Sequence, residues 1–277
     1  MDSLSEVLAL CRSERAVTAR FALHAPWALE SQGVPGAMVR VAQGAPYWLQ
    51  VRGLEPRLVE PGDLVVLPYG SAHLMASDLG LAPVPFAELI RRHALGAKDE
   101  NPLSFEHGGA ADADAADAAA GTRIDSVLLW VSAHFRHSVL HLLPALLHLP
   151  ARRSAPSPFL APLMHEMVAD SLQRRPGWRL AAGRLGDLVL AHVLADHFAR
   201  QMEHGEGWVR GLADPGIARA LAAIHRAPEQ GWTVERLARE AAMSRSRFAE
   251  RFRLLVGQPP IGYLASHRMA YAAQRLE

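Results

Sequence analysis

The chain has 277 residues, half of them hydrophobic, and its 29 Lys and Arg against 28 Asp and Glu give a formal net charge of +1. The length predicts two domains, the composition predicts a water-soluble globular protein, and the near-zero net charge excludes any inference about partners from total charge. Cys11 is the single cysteine, which excludes an internal disulfide and points to a reducing cytoplasm.

The N-terminal MDSLSEVLALCRSER is acidic and amphipathic, without the basic end and long apolar run of a signal peptide. Residues 21–80 read as strands and turns. In MVRVAQGAPYWLQVRG, short β-branched and aromatic runs are broken by Gly44-Ala45-Pro46 and by Gly53. RLVEPGDLVVLPYGSAH repeats the form: a strand, a Pro-Gly-Asp turn, the apolar run Leu64 to Leu67, and a Pro68-Tyr69-Gly70 turn. Short strands at this spacing predict a small β-barrel or sandwich. Residues 106–122 are small, acidic and of low complexity, which predicts a mobile surface loop. SVLLWVSAHF then returns to strand character, so the loop reads as an insertion rather than a boundary. The apolar stretch VLHLLPALLHLP from Val139 is too short to span a bilayer and holds Pro144.

From Ser157 the spacing becomes helical. Leu185, Leu188, Val189, His192, Val193 and Phe198 fall near one stripe. Arg174-Arg175-Pro176-Gly177 divides two helices that read as an antiparallel pair, packing on the barrel or forming a dimer interface, with dimerisation preferred. PGIARALAAIHRA is a further helix, with Pro215 in its first turn and Pro228 beyond its end.

The C-terminal stretch carries the chemistry. From Trp232 to Glu277 there are eight arginines and four glutamates, a local net of +4. Such a block suggests an anionic partner, against the alternative of a solvated charged face. Thr233 is a suitable N-cap for a helix with Val234, Leu237, Ala238 and Ala241 on one face. Ala242-Met243-Ser244 forms a turn, and the small Ala238 and Ala242 allow close approach of the helices. Ser244 caps a second helix with Phe248, Phe252 and Leu255 inward. Gly257 stops it and Pro259-Pro260 prevent continuation. Two short one-faced helices around a tight turn predict a helix-turn-helix over 233–256. Ser246, Ala249, Glu250 and Arg253 then face outward, as on a recognition helix entering the major groove. Arg245 and Arg247 sit at the helix N-terminus, where phosphate is favoured. Arg253 is placed to read guanine and Glu250 to accept from a cytosine amino group, while Arg251 flanks the apolar face.

GWTVERLAREAAMSRSRFAERFRLLVGQPPIGYLASHRMAYAAQRLE resembles the first half of the DNA-binding domain of AraC-type (AraC/XylS family) transcriptional regulators. The resemblance rests on the Trp-Thr start, the MSRS.F.R.F run and the G..P..YL...R...A..L pattern. It implies two helix-turn-helix units joined by a linker helix; 261–277 matches that linker helix, and the match stops before a second unit. GWVRGLADPGIARALAAIHRAPEQGW resembles the segment preceding this domain in regulators with a cupin-like sensor. PGDLVVLPYGSAH resembles the second cupin motif through Gly62, Pro68, Gly70 and His73. In metal-binding cupins that histidine is a ligand, which makes His73 the one weak metal candidate. The first motif's His-x-His and glutamate have no counterpart in GAMVRVAQGAPYWLQV, so a three-ligand site is not visible. His24 and His107 complete one only if the fold brings them near. His134, His137 and His141 share a helical spacing without an acid. The sequence HEMVA at His165 lacks the second histidine of a zinc-protease helix.

The expected fold is therefore α+β and multidomain. A cupin-like β-barrel sensor spans 1–150, a helical linker and dimerisation pair 151–205, and a partial all-α DNA-binding domain 206–277. The expected function is sequence-specific binding of double-stranded DNA by a cytoplasmic, homodimeric, non-enzymatic and non-membrane regulator. His24, Trp48, Tyr69 and His73 are the candidate lining of an effector pocket, with no cofactor assigned. A metal-dependent cupin enzyme with an appended DNA-binding module is the alternative. A third reading is a ligand-independent regulator whose barrel only assembles dimers, with side chains such as Trp48 and Tyr69 filling the pocket.

Overall fold

In a computed structural model, the described residues are 12–93, 102–109, 121–131, 140, 143–151, 159–204, 211 and 214–273. They form two compact units: one holds Ser13–Val131 with Leu143–Leu190, and the other holds the C-terminal part from Ala191. No helix among the described residues is long and apolar enough to cross a membrane.

The first unit is built on eleven strands: β1 (Ser13–His24), β2 (Ala28–Ser31), β3 (Ala37–Gly44), β4 (Tyr47–Val51), β5 (Arg57–Val59), β6 (Leu64–Leu67), β7 (His73–Ala76), β8 (Val84–Pro85), β9 (Leu103–Gly108), β10 (Thr122–Val131) and β11 (Leu147–Leu149). A short helix, α1 (Phe86–Arg92), follows β8. The strands fall into a six-stranded sheet, ordered β11-β6-β3-β10-β1-β9, and a five-stranded sheet, ordered β5-β4-β7-β2-β8. Most pairings are antiparallel; β1 with β9 and β2 with β8 are parallel. The expected barrel is not closed among the described residues. Two sheets instead share one core, as in a sandwich.

Period-2 alternation decides which side chains enter that core. Ala19, Phe21 and Leu23 of β1 point inward and meet Leu29 of β2, Tyr47 and Leu49 of β4, Met75 of β7 and Ile124 of β10. Phe21 packs edge-on to Phe86 and at 4.8 Å from Phe105. Burial of each Leu, Ile, Phe or Met side chain among these stabilises the fold by about 1.5–3 kcal/mol. The Pro68-Tyr69-Gly70 turn is fixed by sterics: Gly70 has φ +57, and a Cβ there would lie 2.0 Å from the carbonyl oxygen of Val34.

The other face of the six-stranded sheet is covered by α2 (Leu160–Leu172), which packs on β10, β1 and β3, and the first part of α3 (Trp178–His204) meets the sheet at Leu129 and Ser13. A Cβ at Gly186 would come 2.7 Å from Cδ2 of Leu129, so glycine allows α3 to lie close against β10. On α3 the buried apolar side chains are Ala182, Val189, Leu190, Val193, Leu194 and Phe198. Leu188, expected on the stripe, is 40% exposed. The acidic segment also differs from expectation at its start. Residues 106–108 belong to β9, paired to β1, while 110–120 lie outside the described residues.

In the second unit, α4 (Pro215–Arg226) starts at Asp214, whose carboxylate accepts from the amides of Gly216 and Ile217. α5 (Val234–Glu240) is capped by Thr233, whose hydroxyl accepts from Arg236 N–H at 3.2 Å. α6 (Arg245–Val256) is capped by Ser244 and ends at Gly257, which is left-handed at φ 85. α7 (Pro260–Ala273) follows, with Pro260 as its first residue. Leu237, Ala238 and Ala241 of the α5 segment and Phe248, Phe252 and Val256 of α6 are all buried, and the two helices pack against each other. Two details correct the sequence reading. Ala242 has φ 53 and is exposed, so it shapes the turn rather than the helix contact. Val256 takes the buried place expected of Leu255, which is half-buried.

Candidate functional site

The arginines of the second unit divide into two groups. Some are tied to the protein's own acceptors. Arg219 donates to the carbonyls of Glu240 and Ala241, closing the C-terminal end of α5. Arg268 donates to the carbonyls of Pro228 and Gln230. Arg251 donates to Asp214 Oδ2 at 2.5 Å, joining α6 to the cap of α4. Burial alone would raise the Asp214 pKa, but Arg251 and the two backbone amides outweigh it and hold the carboxyl below the usual range.

The other group lies on the outer face of α6. Arg245, Ser246, Arg247, Glu250 and Arg253 are exposed and Ala249 is half-buried, opposite the fully buried Phe248 and Phe252. Arg245 pairs with Glu235 across the turn at 2.6 Å. Both partners are well exposed, so the pair contributes little to stability and Arg245 is readily exchanged to another anion. Val234, Arg245, Ser246 and Ala249 line a shallow open depression. This face therefore holds all six residues expected to meet DNA, on one rigid, doubly capped helix.

The first unit disperses the expected pocket residues. Trp48 lies between the inward Tyr47 and Leu49, so it faces away from the core. Tyr69 sits in the turn after β6, and its hydroxyl donates to the Leu143 carbonyl at 2.7 Å. His24 ends β1 in the six-stranded sheet, whereas His73 opens β7 in the five-stranded one. His107 lies beside β1, opposite Leu23. His73 alone is buried in the interior, at 3% exposure.

A residue that the sequence reading passed over explains the state of His73. Arg40 projects from β3 between the sheets and is 4% exposed. Its Nη1 lies 2.9 Å from His73 Nε2, while His73 Nδ1 lies 2.6 Å from the Ser71 carbonyl oxygen. A carbonyl only accepts and a guanidinium only donates, so Nδ1 carries the proton and Nε2 accepts from Arg40. Burial first, and the Arg40 charge second, push the His73 pKa down to about 3. Burial likewise lowers Arg40 to about 10, partly offset by Tyr47. Both His73 nitrogens are thus engaged and a cation stands beside the ring, which does not suit a metal ligand. No group of three or more His, Cys, Asp or Glu that could hold a metal is present among the described residues; His134, His137 and His141 lie outside them. The sequence signal for Arg40 was an arginine inside the otherwise apolar AMVRVA.

Two more buried carboxylates act structurally. Asp125, fully buried on β10, accepts from Arg20 Nε at 2.6 Å and Nη2 at 2.8 Å, and from His165 Nδ1 at 2.7 Å. His165 thereby ties α2 to the sheet. Burial would raise the Asp125 pKa, but its bonds to Arg20 and His165 prevail and hold it low. Asp63 accepts from His148 and from the amides of Glu60 and Ala151.

Comparison with known proteins gives the family. A cupin family model matches residues 2–199. A protein of Streptomyces lividans assigned as an AraC-like transcription regulator is 31% identical over 280 residues, covering 100% of this chain and 86% of that one. The HTH-type transcriptional regulator AlkR of Acinetobacter baylyi is 30% identical over 220 residues, covering 78% of this chain and 67% of that one. A crystal structure of ToxT from Vibrio cholerae has a TM-score of 0.35 at 9% identity, covering 91% of this chain and 96% of that one. The chain belongs to the AraC-like transcription regulators, with a cupin domain in its first two thirds.

Proposed function

We propose that the chain binds specific double-stranded DNA through a helix-turn-helix formed by α5 and α6, and that a small molecule held by the cupin-like region modulates this binding. The observation that carries the reading is the outer face of α6, with Ser246, Ala249, Glu250 and Arg253 set opposite buried Phe248 and Phe252. Arg245 and Arg247, in the first turn, neutralise phosphates, and Glu250 and Arg253 meet base edges. Residues 1–150 serve as sensor, 151–205 as linker and dimerisation region, and 206–277 as the DNA-binding part. The working form is a cytoplasmic homodimer, and no catalytic role is assigned.

The test is selection of genomic fragments by the purified chain at low salt, with an Arg253→Ala control. A shared sequence that is enriched by the chain and lost or altered with the control supports the reading. Enrichment of the same sequence by both proteins refutes the role of Arg253.

A further inference from the structure

The shallow depression on the outer face joins the first turn of α5 to α6. Two of its lining residues, Val234 and Ala249, are apolar and half-buried, and the other two, Arg245 and Ser246, are exposed. Ala249 stands in the middle of the outward stripe, between Ser246 on one turn and Arg253 on the next. Val234 is the first residue of α5, so the wall facing it comes from the other helix. The Glu235–Arg245 ion pair spans the same gap. Behind it Phe248 and Phe252 are fully buried, and Thr233 and Ser244 cap the two helices. The depression is therefore preformed, with an apolar floor and a polar rim. The side chains of Val234 and Ala249 neither donate nor accept. A polar group seated on them loses water without gaining a partner, whereas an apolar group is favoured there.

In the major groove the bases present donors, acceptors and a single kind of apolar group, the C5-methyl of thymine. We infer that Val234 and Ala249 receive a thymine 5-methyl group. Ala249 is then a specificity-determining residue on α6, and Val234 is a second one supplied by α5. This rests on the reading of the chain as a DNA-binding regulator. Arg245 and Ser246 stay at the rim, where phosphate oxygens and base edges offer acceptors.

The test uses DNA selected by the full chain from genomic fragments. Each thymine in the selected sequence is replaced singly by deoxyuridine, which removes the methyl and leaves every hydrogen-bonding group in place. Filter binding then gives the ratio of the two dissociation constants. At one thymine or more the wild type should bind deoxyuridine DNA about 4-fold more weakly, the value of one methyl group taken out of water. Ala249→Gly trims the floor and Val234→Ala trims the wall, and each should bring that ratio below about 2. Because both DNAs are measured with one preparation, a variant that folds poorly weakens them equally and leaves the ratio readable. A wild-type ratio below about 2 at every thymine, or a ratio that keeps its wild-type value in Ala249→Gly or in Val234→Ala, overturns the inference. A chain that selects DNA but is indifferent to the methyl loses only this inference. A chain that selects no DNA overturns the DNA-binding reading and this inference with it.

Discussion

Nη1 of Arg40 and Nε2 of His73 lie 2.9 Å apart between two sheets, 33 positions apart in sequence. That contact makes the cupin-motif histidine a neutral hydrogen-bond acceptor.

It also makes stability depend on acid. His73 titrates near 6.5 when unfolded and near 3 in the folded chain. Between those values the unfolded chain holds the extra proton, so lowering the pH favours unfolding. Stability from this group is complete above about pH 6.5 and falls by up to about 1.4 kcal/mol per pH unit toward pH 3. Urea unfolding at stepped pH should show a shallower slope for His73→Gln than for the wild type; identical slopes would contradict the assignment.

Asp125 holds α2 to the sheet through His165 and Arg20. Asp125→Ala leaves Arg20 without its carboxylate and should cost about 3–5 kcal/mol in denaturant unfolding. A loss below about 1 kcal/mol would mean that the cluster is incidental.

At Gly70 an added methyl meets the Val34 carbonyl, and φ is positive. Gly70→Ala should therefore lower stability by about 2 kcal/mol or more. Gly53 also has positive φ, but a Cβ there meets nothing within 4 Å. Gly53→Ala should cost less, and thermal melts of the two variants give the comparison.

Arg245 and Arg251 should part company in DNA binding. Arg245→Ala should weaken binding to all sequences alike and reduce the salt slope by about one. Glu235→Gln should tighten binding, because it releases Arg245 from its ion pair. Arg251→Ala breaks the contact with Asp214 and should reduce stability while leaving the salt slope unchanged. Filter binding across a salt series reads all three variants. A slope that moves with Arg251 and not with Arg245 would reverse their roles.

The outward face of α6 was legible in the sequence because its causes are local. Thr233 and Ser244 cap, Gly257 stops, and Phe248 and Phe252 lie one turn apart, so the positions of Ser246, Glu250 and Arg253 follow from the helical repeat. Strands β3 to β7 were legible for a similar reason, through their turns. The sequence by itself thus determined these elements and the cupin and AraC-type signatures, but not β9, whose residues 106–108 it read as loop, nor α1. Only the tertiary structure decided that the strands form two sheets, that β1 lies parallel to β9, that Trp48 faces away from the core, and that Arg40 meets His73 inside it. Those facts depend on register between strands far apart in the chain. A one-residue slip turns every side chain to the opposite face, and no local preference records which register wins.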